Sequence, residues 1–129
     1  MYTNLPQHGG NFKDVLNQEF QSAKNVTIAS GYASLDVINA YKKEFINIAN
    51  KGGVSKLLLG MAFYEGLSQK KLDAVTELNS QLKKFKNLSG VYVTNGRRYH
   101  GKVYHFDNEN DSKLYVGSSN FSSSGISVM

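Results

Sequence analysis

The chain of 129 residues has no cysteine, a single proline and a formal net charge of +5. That length holds one domain and leaves no room for two independent functional modules, and without cysteine there is neither a disulfide framework nor a thiolate metal site. An apolar fraction of 40% with 12% aromatics fits a packed domain and argues against a disordered tail. No run approaches the ~20 apolar residues that cross a bilayer, and the N-terminus lacks the pattern of a secretory signal. The expectation is a soluble, cytoplasmic protein with no membrane segment, whose basic balance favours nucleic acid or anionic surfaces as partners.

In chain order, Asn11 to Ala23 places Phe12, Val15, Leu16, Phe20 and Ala23 on one helical stripe with polar residues opposite. Val26-Thr27-Ile28-Ala29 reads as a short buried strand ended by Gly31. Ser34 is the expected cap of a second helix, with Asp36 in its first turn, where the dipole favours a negative charge. That helix turns Leu35, Ile38, Tyr41, Phe45 and Ile48 inward and stops at Gly52-Gly53. Residues 56–61 are apolar without alternation, the pattern of a strand covered on both faces. Ser68 should cap a third helix with Leu72, Val75, Leu78, Leu82 and Phe85 inward. Lys83, Lys84 and Lys86 at its end read as a solvated helix terminus.

Gly90 to Thr94 makes a third strand, Asn95-Gly96 a turn, and Tyr99 to Phe106 and Lys113 to Gly117 two more, joined by residues 107–112. The order predicts an α/β sandwich, a mixed sheet flanked by helices, with the last two strands as a hairpin. Residues 126–129 directly follow a glycine-serine loop with no further helix, which leaves one sheet face thinly covered. The expectation is a single domain over 1–129, an N-terminal piece of a longer protein, or a dimer whose partner covers that face.

Two stretches carry chemistry. Side chains alternate along a strand, so His100 and Lys102 share a face with Tyr104 and Phe106, about 6–7 Å apart along the chain. A histidine beside a fixed cation can attack or protonate a phosphate ester while the cation holds its oxygens; taken alone, the pair reads first as an ordinary edge strand with a polar face. Gly117-Ser118-Ser119-Asn120 offers backbone N–H groups, a hydroxyl and an amide suited to phosphate oxygens. Alone it reads as a linker, since Ser122-Ser123-Ser124-Gly125 continues in that style. Two metal readings fail. Asp107, Glu109 and Asp111 alternate like a calcium loop but have Ser112 where glycine is expected, and His100 and His105 fall on opposite faces.

Read together, His100-x-Lys102-x4-Asp107 and Gly117-Ser118-x-Asn120 resemble the HKD signature of the phospholipase D superfamily, and the α/β order that precedes them suits its fold. Residues 26–32 and Leu59-Gly60-Met61 are most similar to the N-terminal nuclease domain of NgoFVII-type restriction endonucleases. Nine residues separate Asp107 from Gly117, more than in the usual family pattern, which reads as a longer hairpin turn.

The resemblance implies a metal-independent phosphodiesterase, a DNA endonuclease of restriction type that needs no cofactor. His100 would be the nucleophile and form a phosphohistidine, Lys102 and Asn120 would bind the non-bridging oxygens, and Ser118 would support them or His100. Asp107 would help to position the site without attacking. The superfamily's site uses two such motifs and this chain has one, which implies a homodimer with two copies of His100 brought together. Arg97 and Arg98, just before the motif strand, are candidate contacts to the DNA backbone, or else solvated turn residues. The alternatives are a phospholipid hydrolase or phosphatidyltransferase of the same superfamily, weakened by the lack of an anchoring segment, and a non-catalytic DNA-binding or dimerisation module. Base-specific readout would fall to a region beyond Met129.

Overall fold

The architecture comes from a computed structural model that describes residues 12–31, 33–60, 68–93, 102–108, 110–116 and 121. Along the chain these form α1 (Phe12–Ser22), β1 (Asn25–Ser30), α2 (Leu35–Asn50), β2 (Ser55–Leu59), α3 (Gln69–Lys83), β3 (Gly90–Val93), β4 (Lys102–Asp107) and β5 (Ser112–Val116). The strands make one mixed sheet in the order β3-β2-β1-β4-β5. β1, β2 and β3 run parallel, and β4 pairs antiparallel with both β1 and β5. This is the α/β fold with a C-terminal hairpin that the residue pattern implies. β4, however, is an interior strand and not an edge.

Period-two alternation decides how the layers meet. Val26 and Ile28 of β1, Leu57 and Leu59 of β2, Tyr104 and Phe106 of β4 and Tyr115 of β5 are all buried and all point to one face. The helices lie on that face. Phe12 and Phe20 of α1 meet Tyr104 and Phe106 edge-on at 4.7 and 5.3 Å between ring centres, and Phe20 also stacks on Tyr41 of α2 at 5.1 Å. Aromatic rings bury the largest areas per residue and add quadrupole contacts of about 0.5–1.5 kcal/mol per pair, so this cluster is the centre of the core. On the other face Thr27, Ala29, Leu58, Val103 and Leu114 are half-buried, and Tyr92 and Val116 are exposed. Among the described residues, no helix covers that second face.

Helix ends follow their local chemistry, with two departures. α2 closes in a Schellman arrangement: Gly52, at φ +93°, donates to the Ala49 carbonyl and Gly53 to that of Ile48. Gly53 also lies against the Lys24 carbonyl so closely that a Cβ would overlap it, which brings the turn before β2 onto the start of β1. Ser68 caps α3 as its sequence position suggests, accepting the Lys71 N–H at 3.2 Å. Ser34 precedes α2 in extended conformation but makes no side-chain cap bond; its backbone N–H is used elsewhere. Leu72, expected to face inward, is 43% exposed. β3 has four residues and its start is tied to Asn79 and Lys83.

The hairpin turn is shorter than expected. Pairing between β4 and β5 runs unbroken from Val103–Val116 to Asp107–Ser112. Asn108 closes the turn by donating its N–H to the Asp111 carbonyl and accepting the Asn110 and Asp111 N–H groups on its side chain. Asp107 and Ser112 thus belong to the strands, and the additional residues leave the register of the two strands intact.

Candidate active site

Lys102 opens β4. It pairs directly with Ser30, the last residue of β1, which in turn pairs with Leu59, the last of β2, itself level with Val93 of β3. Lys102 therefore stands at the carboxyl end of the three parallel strands. In open α/β sheets that is the end outside which ligands bind. It shares a strand face with Tyr104 and Phe106, as alternation requires, and it is half-buried. A flexible ammonium group held at its base by a strand is suited to phosphate oxygens as a point charge.

A second segment arrives at the same end. Phe121 is fully buried, its ring against Tyr41, Phe45 and Tyr104 at 5.7, 6.2 and 6.5 Å. Its N–H donates to the Ser30 hydroxyl at 3.1 Å and its carbonyl accepts the Ser34 N–H at 3.0 Å. It also bridges Ala33 in parallel fashion. Val116, the last residue of β5, pairs with Val103 on the opposite side of β4. The two described residues that flank 117–120 thus lie on either side of β4, level with its start. Ser30 and Phe121 fall in or beside the stretches that carry the resemblance, but the residue pattern assigns neither a role in the site. Ser30 is a polar residue in phase with Val26 and Ile28, and a serine on the buried face of a strand is a signal that could have been followed.

Asp107 lies at the other end of β4, roughly 17 Å from Lys102 at the usual rise, and on the other face. Its carboxylate accepts from the Asn25 side chain at 3.3 Å and its carbonyl from the Lys24 N–H at 2.7 Å. It ties the β1–β4 seam and is not brought to Lys102. His105 also points away from the Lys102 face, and its Nε2 sits 2.8 Å from the Ser112 hydroxyl. His100, Ser118, Asn120, Arg97 and Arg98 lie outside the described residues, as does Glu109 of the acidic turn. Among the described residues, no three histidine, aspartate or glutamate side chains come together as a metal site would need, and no helix is long and apolar enough to cross a membrane.

The frame around Lys102 is held from the helix layer as well. Glu19, expected on the polar side of α1, is buried: its carboxylate accepts the Tyr115 hydroxyl and pairs with Lys113 at 3.2 Å. Its spacing from Phe12 and Leu16 keeps it in phase with the apolar stripe, which places it against β5. Tyr104, beside Lys102 on the buried face, has its phenol pKa raised, by burial first and by neighbouring Tyr41 second. Tyr41 donates to Asn17 at 2.7 Å, and its own pKa is pushed up to about 12 by burial and by the charges of Glu44 and Asp14. Both phenols are neutral donors at any ordinary pH.

No curated protein matches the chain. Residues 11–128 match the family of the NgoFVII restriction endonuclease N-terminal PLD domain, PLD being phospholipase D. The match spans every described element of the sheet, and the mixed sheet with its C-terminal hairpin agrees with it; the chain belongs to that family.

Proposed function

We propose that the chain is a metal-independent DNA endonuclease domain acting through a phosphohistidine at His100. The observation that carries this reading is the family match over residues 11–128. It is supported by the convergence of Lys102 and the flanks of residues 117–120 on the carboxyl end of the parallel strands.

In this reading His100 attacks the scissile phosphorus, the P–O bond to the leaving nucleotide breaks, and a water then releases the phosphate from the imidazole. Lys102 and Asn120 hold the non-bridging oxygens as negative charge builds on them, and Ser118 supports that grip. Asp107 contributes at a distance, by fixing β4 against β1. One motif supplies one histidine, so a second copy of the chain completes the site by protonating the leaving oxygen. The partner is DNA, whose phosphates dominate binding, with Arg97 and Arg98 on its backbone.

The test is His100→Ala, assayed on plasmid DNA with and without excess EDTA and on phosphatidylcholine vesicles. Expected are EDTA-resistant DNA cleavage, its loss in the variant, DNA binding that persists, and no lipid hydrolysis. Cleavage that survives the substitution, or that EDTA abolishes, contradicts the reading.

A further inference from the structure

Ser30 links three described pieces of the frame around Lys102: β4, the exit from β2, and Phe121. It ends β1, is fully buried, and stands opposite Lys102 on the same sheet face. Its carbonyl accepts the Gly60 N–H at 3.0 Å, where the chain leaves β2, and its hydroxyl accepts the Phe121 N–H at 3.1 Å. Phe121 is the residue that follows Asn120.

We propose that Ser30 is a positioning residue of the phosphate site: its hydroxyl fixes the backbone next to Asn120 against the very residue that sets the register of Lys102. The inference rests on the nuclease reading above. One buried residue would then define the spacing between the two groups that grip the phosphate, one through strand pairing and the other through a side-chain bond.

A buried serine that only satisfies a nearby N–H is the simpler alternative, and the redundancy around Phe121 separates the two. The Phe121 ring is buried among three aromatic side chains, and its carbonyl is bonded to Ser34. Losing the serine hydroxyl therefore leaves Phe121 seated in the core. It releases only the N–H side of the residue, the side joined to Asn120. Catalytic geometry is sensitive to displacements that stability hardly notices; a misplacement near 1 Å can cost about 10²-fold in rate.

The test compares Ser30→Ala and Ser30→Thr in the full chain, with His100→Ala as reference. Single-turnover cleavage of plasmid DNA, DNA binding, thermal unfolding and amide hydrogen exchange at Phe121 are measured for each. Ser30→Ala should cleave about 10–100-fold more slowly, with DNA binding close to that of the parent and an unfolding temperature a few degrees lower from the unpaired Phe121 N–H. Ser30→Thr, which keeps an acceptor oxygen, should recover most of the rate. The Phe121 amide should exchange about tenfold faster in Ser30→Ala, with protection elsewhere unchanged. Ser30→Ala cleaving at the parent rate while His100→Ala is inactive overturns the role of Ser30 and leaves the nuclease reading standing. A parent chain that cleaves no better than His100→Ala overturns the nuclease reading and, with it, the catalytic role. Unchanged Phe121 exchange in Ser30→Ala refutes the tether whatever the cleavage result.

Discussion

The two ends of β4 are fixed by different means. At Asp107 the strand is sewn to its neighbours by side chains that satisfy backbone and one another. Asn25 donates to Asp107 and accepts the Val54 N–H at 2.9 Å, and Asn108 closes the hairpin turn. At Lys102 the described restraint comes from a buried serine and an anchored aromatic residue, Ser30 and Phe121. One end is a seam whose polar groups serve the fold. The other is a frame whose polar groups stand where a ligand would bind. The difference predicts that substitutions at the two ends will separate stability from activity.

The largest effect should come from the anchor itself. Phe121→Ala empties a fully buried site against Tyr41, Phe45 and Tyr104 and should cost about 3–5 kcal/mol of folding stability, read by urea unfolding. A loss below ~1 kcal/mol would show that Phe121 is not seated as described. Next, Lys102→Met keeps the stem and removes the charge. Its kcat for DNA cleavage should fall about 10²–10³-fold, the scale for one lost donor to a developing oxyanion, while stability stays within ~1 kcal/mol. Asn25→Ala should do the reverse, costing about 1–3 kcal/mol through the unpaired Val54 N–H and Asp107 carboxylate, with cleavage unchanged below the unfolding temperature. If Asn25→Ala slows cleavage as much as Lys102→Met does, the contrast between the ends is wrong.

The smallest effect concerns the core on which both ends rest. Tyr41 and Tyr104 are held neutral, with pKa values above the ordinary phenol value. A raised native pKa means that the unfolded chain gives up these protons first. The stability they contribute is therefore complete below about pH 10 and declines as pH rises past it toward about 12. Thermal unfolding between pH 8 and 11 should show a falling midpoint only above pH 10, and Tyr41→Phe should blunt that fall.

The residue pattern carried most of the fold because period and punctuation agree in this chain. Phe12, Leu16 and Phe20 at helical spacing, the Gly52-Gly53 stop and the Ser68 cap all act within a few residues, where local chemistry decides. What escaped were long-range outcomes. Glu19 reads as surface until β5 brings Tyr115 and Lys113 to it from 96 and 94 positions away. Leu72 reads as core, yet it is exposed in the first turn of α3. Ser34 reads as a capping side chain, but it makes no side-chain cap bond, and its backbone N–H donates to the Phe121 carbonyl. Of the candidate site, the face of Lys102 was legible from alternation, while its role is what the resemblance implies. The Ser30–Phe121 bond joins residues 91 apart, and no local pattern announces it.

The measurement that bears most directly on the central claim is the covalent state of His100 during turnover. A rapid quench with denaturant, followed by peptide mass spectrometry, should find DNA phosphate bonded to His100. The adduct should be acid-labile, form without added divalent cation, and be missing in His100→Ala. Cleavage that proceeds with no such adduct, or with one on another residue, would contradict the account.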